Sequence, residues 1–145
     1  MIDLTIRDTL PEDIPAITSI YAHAVANTVA TLDTDESTIA SQTEWFEYHD
    51  TMHPVIVVVR DGAIPRWASL SEWSPKKGYY TTAEASRYLA PTDHGKGIGN
   101  ALAQQLIRHS HTLGLNVLAA RIASSNDASL RLARGCGFVD VGTMK

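Results

Sequence analysis

Apolar and polar residues alternate through "IDLTIRD" at 2–8, which predicts a half-buried first strand. Thr9, with Glu12 three positions on, reads as a capping box that opens a helix. In that helix Ile14, Ile17, Tyr21 and Ala24 recur at helical spacing and predict its inward face. A polar connection over 27–35 leads to a second amphipathic segment carrying Ile39 and Phe46. "VIVVVRDGAIPRWASL" at 55–70 then supplies two β runs parted by Asp61-Gly62, a pair favoured in two-residue hairpins. Pro65 has no N–H for a sheet ladder, so the second run is expected at an edge or bulged near its start. "TTAEASRYLA" at 81–90 predicts a fourth strand and "IGNALAQQLIRHSHTLG" at 98–114 a helix ended by Gly114. "NVLAARIA" at 116–123 predicts a fifth strand, and "ASLRLARGCG" at 128–137 a short last helix. With no internal repeat, low-complexity tract or linker, residues 1–145 are expected to form one α/β domain.

Composition narrows the function classes. The formal charge of -4 includes no basic stretch, which argues against a nucleic-acid or anionic-membrane surface as main partner. No apolar run approaches the roughly 20 residues of a bilayer span. The opening "MIDLTIRD" lacks the basic and apolar regions of a signal peptide, so a cytoplasmic location is expected. The single cysteine, Cys136, lies between two glycines with no activating base near it in sequence, and reads as packing. The histidines show no metal-ligand spacing with acidic or cysteine partners, and His109 and His111 would point to different faces of a helix; no metal is expected.

The run Gly95-Lys96-Gly97-Ile98-Gly99 lies between a predicted strand and a predicted helix. Backbone N–H groups at a helix start are unpaired, and glycines let that backbone approach a phosphate closely. Either a phosphate-bearing ligand or a plain strand-to-helix turn accounts for the run. A Walker A loop does not fit, and neither does the dinucleotide fingerprint: Asn100 occupies the place of its third glycine, and "VLAARIA" offers no acid.

"TAEASRYLAPTDHGKGIGNALAQQLI" followed by "SSNDASLRLARGCGF" resembles the acetyl-coenzyme A core of the GNAT N-acetyltransferases. "AVANTVATLD", "TEWF" and "TAEASRYL" are similar, more narrowly, to the phosphinothricin and methionine sulfone/sulfoximine acetyltransferase group, and the similarity runs from Ile6 to Gly142. The resemblance implies a GNAT fold, a mixed and mostly antiparallel sheet flanked by helices. Relatives continue past "FVDVGTMK" through a further strand or two, so the final strands are expected to be missing here. The implied activity is transfer of an acetyl group from acetyl-coenzyme A, as cosubstrate, to the primary amine of a small amino-acid-like substrate. A homodimer is also implied, since such proteins are commonly dimers.

Residue roles follow from the same resemblance. Glu84 takes the carboxylate position in strand four and is the expected general base, acting through water; the alternative is a solvent-facing glutamate on a half-buried strand. Tyr88 and Leu89 match the stretch whose backbone groups pair with the pantetheine arm and polarise the thioester carbonyl. Gly95, Lys96, Gly97, Ile98, Gly99 and Asn100 match the pyrophosphate loop. Asn126 matches an asparagine that bonds the cofactor, although "SSNDAS" is also a good helix N-cap. Lys77, Gly78 and Tyr79 fall in the stretch that touches the amine, with Lys77 and Arg87 as candidate cations for its carboxylate. Trp67, Trp73 and Tyr80 are candidates for an apolar wall or for core. The chain departs from the pattern at His94, where Arg or Gln is usual, and at Ala133, where relatives carry a histidine or tyrosine able to protonate the departing thiolate. Two other readings stay open beside the small-molecule enzyme: an acyl-coenzyme A binding module without turnover, and an acetyltransferase acting on protein N-termini or lysines.

Overall fold

The computed structural model describes residues 4–31, 33–35, 37–91 and 98–144. Its elements are β1 (Leu4–Asp8), α1 (Ile14–Asn27), α2 (Ile39–Glu47), β2 (Val55–Arg60), β3 (Ala63–Glu72), β4 (Thr82–Leu89), α3 (Ile98–Thr112), β5 (Val117–Ala119) and α4 (Asp127–Gly135). Among the described residues the strands form one sheet in the order β1-β2-β3-β4-β5. The first three pairings are antiparallel and β4 with β5 is parallel. This is the mixed, mostly antiparallel sheet flanked by helices that the sequence led us to expect. No helix among the described residues is long and apolar enough to cross a membrane.

Alternation along the strands divides the core. On one face Ile56, Val58, Ala68, Leu70 and Ala83 meet Leu102 and Leu106 of α3. On the other, Val55, Val57 and Trp67 meet Ile17 and Ile20 of α1, with Trp45 and Phe46 of α2 packed against them. Both faces of β2 are therefore covered, which is why its first four residues are all buried and its sequence runs apolar without a break. The hairpin forms where Asp61-Gly62 placed it: both residues have positive φ, 50° and 81°, as the tight turn that matches strand twist requires.

Pro65 resolves in favour of a bulge. Val58 pairs with Arg66 and Arg60 with Ala63, so Ile64 and Pro65 together oppose Val59 alone. The missing proline donor sits where the ladder is already interrupted, and β3 is an interior strand rather than an edge.

The start of α1 differs from the Thr9/Glu12 capping box. Asp13 does that work: its carboxylate accepts from the Leu10 N–H at 2.8 Å, while its own N–H donates to the Leu10 carbonyl at 2.9 Å. Arg7 grips the same carboxylate at 2.7 and 3.1 Å, and this contact holds the Asp13 carboxyl below the usual range. Thr9 Oγ1 is buried without a partner among the described residues. Pro11 begins a 3-10 turn over Pro11–Asp13, so the cap falls one residue later than the Thr9 pattern suggests. α2 does carry a reciprocal cap, Thr38 with Ser41, at 3.0 Å each way.

Two outcomes follow for stability. Asp13→Asn should cost about 1–2 kcal/mol near neutral pH in denaturant unfolding, because a buried charged acceptor is lost. Asp13's folded pKa is depressed, so its contribution is present above the ordinary carboxylate value and drains as pH falls through the lower folded one. The gap between variant and wild type should close below about pH 3.9. Trp67 is 2% exposed, and its Nε1 has no acceptor among the described residues. Trp67→Ala should therefore cost about 3–5 kcal/mol, and Trp67→Phe less than about 1.5 kcal/mol.

Candidate active site

The site begins where β4 and β5 part. They pair over Thr82↔Val117, Ala83↔Leu118 and Glu84↔Ala119 only. β5 was expected over 116–123, yet regular pairing ends at Ala119. From Ala85 to Leu89 the outer edge of β4 thus faces a gap, carrying backbone groups that need partners. A cleft of about 110 Å³ opens there, walled by Ala85 and Arg87 of β4, Leu106 and Ile107 of α3, and Leu132 and Ala133 of α4. Ser86, Tyr88 and Ala30 also line it. Ser86 and Tyr88 alternate with Ala85 and Arg87 along β4, so the cleft reaches both faces of the sheet.

Glu84 pairs in register with Ser71 on the same ladder as Trp67 and Tyr88. Both of its carboxylate oxygens are taken by one guanidinium, Arg121 Nε at 2.5 Å and Nη2 at 3.0 Å. Arg121 is the more exposed partner, and its guanidinium carbon lies 5.3 Å from the centre of the Trp73 ring. The fork-to-fork contact raises the Arg121 pKa further above its ordinary value. Glu84 is not itself a wall of the cleft; it meets the cleft through Arg121, which is one. Neither local stretch predicts this pairing, because the two residues lie 37 positions apart and meet only where β5 runs beside β4.

Aromatic packing builds the neighbouring wall. Tyr88 stands 4.8 Å from Trp67 and edge-on to Tyr21 at 5.1 Å, and burial raises its hydroxyl pKa. The Tyr21 hydroxyl donates to the Asp33 carboxylate and lies 3.3 Å from Thr31 Oγ1, so the connection after α1 is tied down beside β4. Burial, then that carboxylate, pushes the Tyr21 hydroxyl upward as well. On the same face His49 donates from Nδ1 to the Trp45 carbonyl at 2.8 Å, leaving Nε2 to accept from the Ser71 hydroxyl at 3.4 Å. Burial lowers the His49 pKa.

The remaining expected residues divide into three groups. Gly95, Lys96, Gly97 and His94 lie outside the described residues. Ile98 packs on the α3-side core, Gly99 is buried, and Asn100 is exposed with its side-chain oxygen accepting from the Cys136 thiol at 3.2 Å. Asn126 acts as the cap of α4, accepting from the Ser129 N–H at 3.2 Å, and it also lines the cleft. Leu89 is 40% exposed at the end of β4. Lys77, Gly78 and Tyr79 form an exposed 3-10 turn before β4 and are not walls of the cleft. Ala133 does line it, as does Cys136. Trp67 is core, Trp73 is beside the Glu84 pair, and Tyr80 is 65% exposed.

Arg87 is placed differently from a surface cation. Its register partner Ala68 puts it on the α3 face, where a Cβ added to Gly99 would stand 3.6 Å from Arg87 Nη1 and 2.6 Å from Arg66 Nη1. Gly99 thus admits two guanidinium groups against the first turn of α3. Among the described residues no group of three His, Cys, Asp or Glu side chains is arranged to hold a metal ion.

Comparison with known proteins agrees with this arrangement. The acetyltransferase (GNAT) domain family matches residues 3–139. The L-methionine sulfoximine/L-methionine sulfone acetyltransferase of Salmonella typhimurium is 36% identical over 147 aligned residues, covering 97% of this chain and 83% of its own length. The phosphinothricin N-acetyltransferase of Alcaligenes faecalis is 34% identical, covering 97% of this chain and 73% of its own. Among solved structures, a GNAT superfamily phosphinothricin acetyltransferase from Sinorhizobium meliloti, in complex with acetyl-coenzyme A, superposes with a TM-score of 0.87 at 32% identity, covering 92% of this chain and 74% of its own. With the family matched along almost the whole chain and the parted strands of its sheet in place, the chain belongs to the GNAT acetyltransferases.

Proposed function

We propose that this acetyltransferase moves the acetyl group of acetyl-coenzyme A to the primary amine of a small, carboxylate-bearing acceptor of the methionine sulfone, methionine sulfoximine or phosphinothricin type. The observation that carries the reading is the cleft through the sheet, apolar along α3 and α4 and joined at Arg121 to the Glu84 carboxylate. Two features suit coenzyme A: the outer edge of β4 beyond Glu84, which pairs with no strand among the described residues and offers backbone donors to an amide-containing arm, and the half-buried Arg87 beside Gly99, which suits phosphate.

In this reading the acceptor's ammonium loses a proton to Glu84, directly or through one water, since only the neutral amine can attack. The nitrogen lone pair then forms a C–N bond to the thioester carbonyl carbon. The C–S bond breaks, its electron pair leaves on sulfur, and the now cationic nitrogen gives up its second proton, which reaches the thiolate through water. Backbone N–H groups at Tyr88 and Leu89 stabilise the developing oxyanion. Ala133 has no proton to give, so the coenzyme A thiolate leaves without side-chain help from that position.

Arg121 couples substrate to base. It occupies both Glu84 oxygens, and an amino-acid acceptor brings a carboxylate of the same shape. When that carboxylate takes the exposed guanidinium fork, Glu84 is released to accept the proton. Acetylation of acceptors without a carboxylate is then slower, because nothing draws Arg121 away.

The test is thiol release from acetyl-coenzyme A with a panel of amines. Glu84→Gln should lower kcat by about 10²–10⁴ while acetyl-coenzyme A still raises Tm. Wild-type turnover in that variant removes Glu84 as base. Arg121→Met should raise KM for amino-acid acceptors and leave KM unchanged for the matched amines lacking the carboxylate. No thiol release with any amine, while acetyl-coenzyme A still raises Tm, would make the chain a binding module instead.

A further inference from the structure

Arg87 is a half-buried cation beside a second guanidinium, Arg66, and the first turns of two helices. Its Nη1 lies against Gly99 in the first turn of α3, a helix of 15 residues. Its Nη2 reaches Ser129 Oγ, in the first turn of α4, at a long 3.4 Å. Helix N-termini carry partial positive charge and favour anions, so this guanidinium bridges two ends of its own sign. Arg66, 7% exposed, is packed against the same glycine. None of the ion pairs seen among the described residues joins Arg87 to a carboxylate. Burial, and then the neighbouring Arg66, lower the Arg87 pKa, as expected of a cation short of counter-charge. A guanidinium partly withdrawn from water in such a position is costly until an anion joins it.

We infer that Arg87 binds the diphosphate of coenzyme A with its side chain, supplying the charge that holds the cosubstrate at the meeting point of α3 and α4. This rests on reading the cleft as the acetyl-coenzyme A site. Arg87 is a wall of that cleft, alongside Asn126 and Ser129. The diphosphate is the phosphate group joined directly to the arm that would lie along β4, so it is the anion that comes within reach. The planar fork of arginine matches two phosphate oxygens at once, whereas backbone N–H groups alone supply no net charge. Such a contact also gives Arg87 a role apart from the acceptor's carboxylate, for which the exposed Arg121 is the better placed cation.

Calorimetric titration of coenzyme A and of dephospho-coenzyme A, each at two salt concentrations, tests the assignment on wild type, Arg87→Met and Arg87→Lys. Arg87→Met should weaken both ligands by roughly 10- to 100-fold and flatten the salt dependence of binding. Arg87→Lys should keep most of the affinity. Ligand-free Arg87→Met should melt no lower than wild type, since it removes a partly buried charge that no carboxylate among the described residues offsets. Weakening of coenzyme A alone would move the contact to the 3′-phosphate and overturn the diphosphate assignment. Equal affinity in Arg87→Met, or a loss with unchanged salt dependence, would overturn it too. So would a variant that melts well below wild type or does not fold, which marks a cation the fold itself needs. Wild type that binds neither ligand would instead remove the reading of the cleft as a coenzyme A site.

Discussion

The parallel pairing between β4 and β5 stops at Glu84↔Ala119, and that stop decides what the rest of the molecule can do. Had the two strands continued in register, residues 85–89 would have closed the sheet and buried their backbone groups in a ladder. Instead the outer edge of β4 is left facing a gap that α3 and α4 roof over. Unpaired backbone donors beside an apolar trough are costly in an empty protein and useful to a ligand with amides of its own. The rigid part of the site is therefore β4, held on its other edge by seven register pairs with β3 and pinned by Trp67 beneath Tyr88.

Charge is distributed around this gap in a way that total charge conceals. The chain is acidic overall, with a formal charge of -4, yet the cleft is walled by Arg87 on one side of the sheet and Arg121 on the other. Arg121 has a carboxylate to hold and Arg87 has none among the described residues. In the function proposed above, the difference would serve two separate anionic ends, a diphosphate beside the helix N-termini and an acceptor carboxylate near Glu84. Alternation along β4 makes the separation possible: residues 84, 86 and 88 point to one face while 85 and 87 point to the other.

Local signals were legible where they had a local cause. The Asp61-Gly62 hairpin, the α4 cap at Asn126 and the buried periodicity of α1 each depend on residues within a turn or two of one another. The α1 start was misplaced because two acidic residues, Glu12 and Asp13, stand side by side. Arg7, which chooses between them, arrives from β1. Pro65 left two outcomes open for a similar reason, since edge and bulge differ only in whether another strand lies beyond β3. β5 was read too long because "NVLAARIA" keeps its apolar character past the point where its partner turns away.

The order of strands and helices was legible in the sequence, as was the motif resemblance that places a carboxylate at Glu84 and a glycine-rich stretch of sequence ahead of α3. These are properties of periodicity and short motifs, which act over a few residues. Only the folded chain brings Arg121 to Glu84, lays Arg87 against the first turn of α3, and sets Ala133 and Cys136 in one cleft with Tyr88. Each of those depends on strand register and helix docking between segments tens of residues apart. The geometry that sets them is written in the packing of two sheet faces, and no single stretch of the chain contains it.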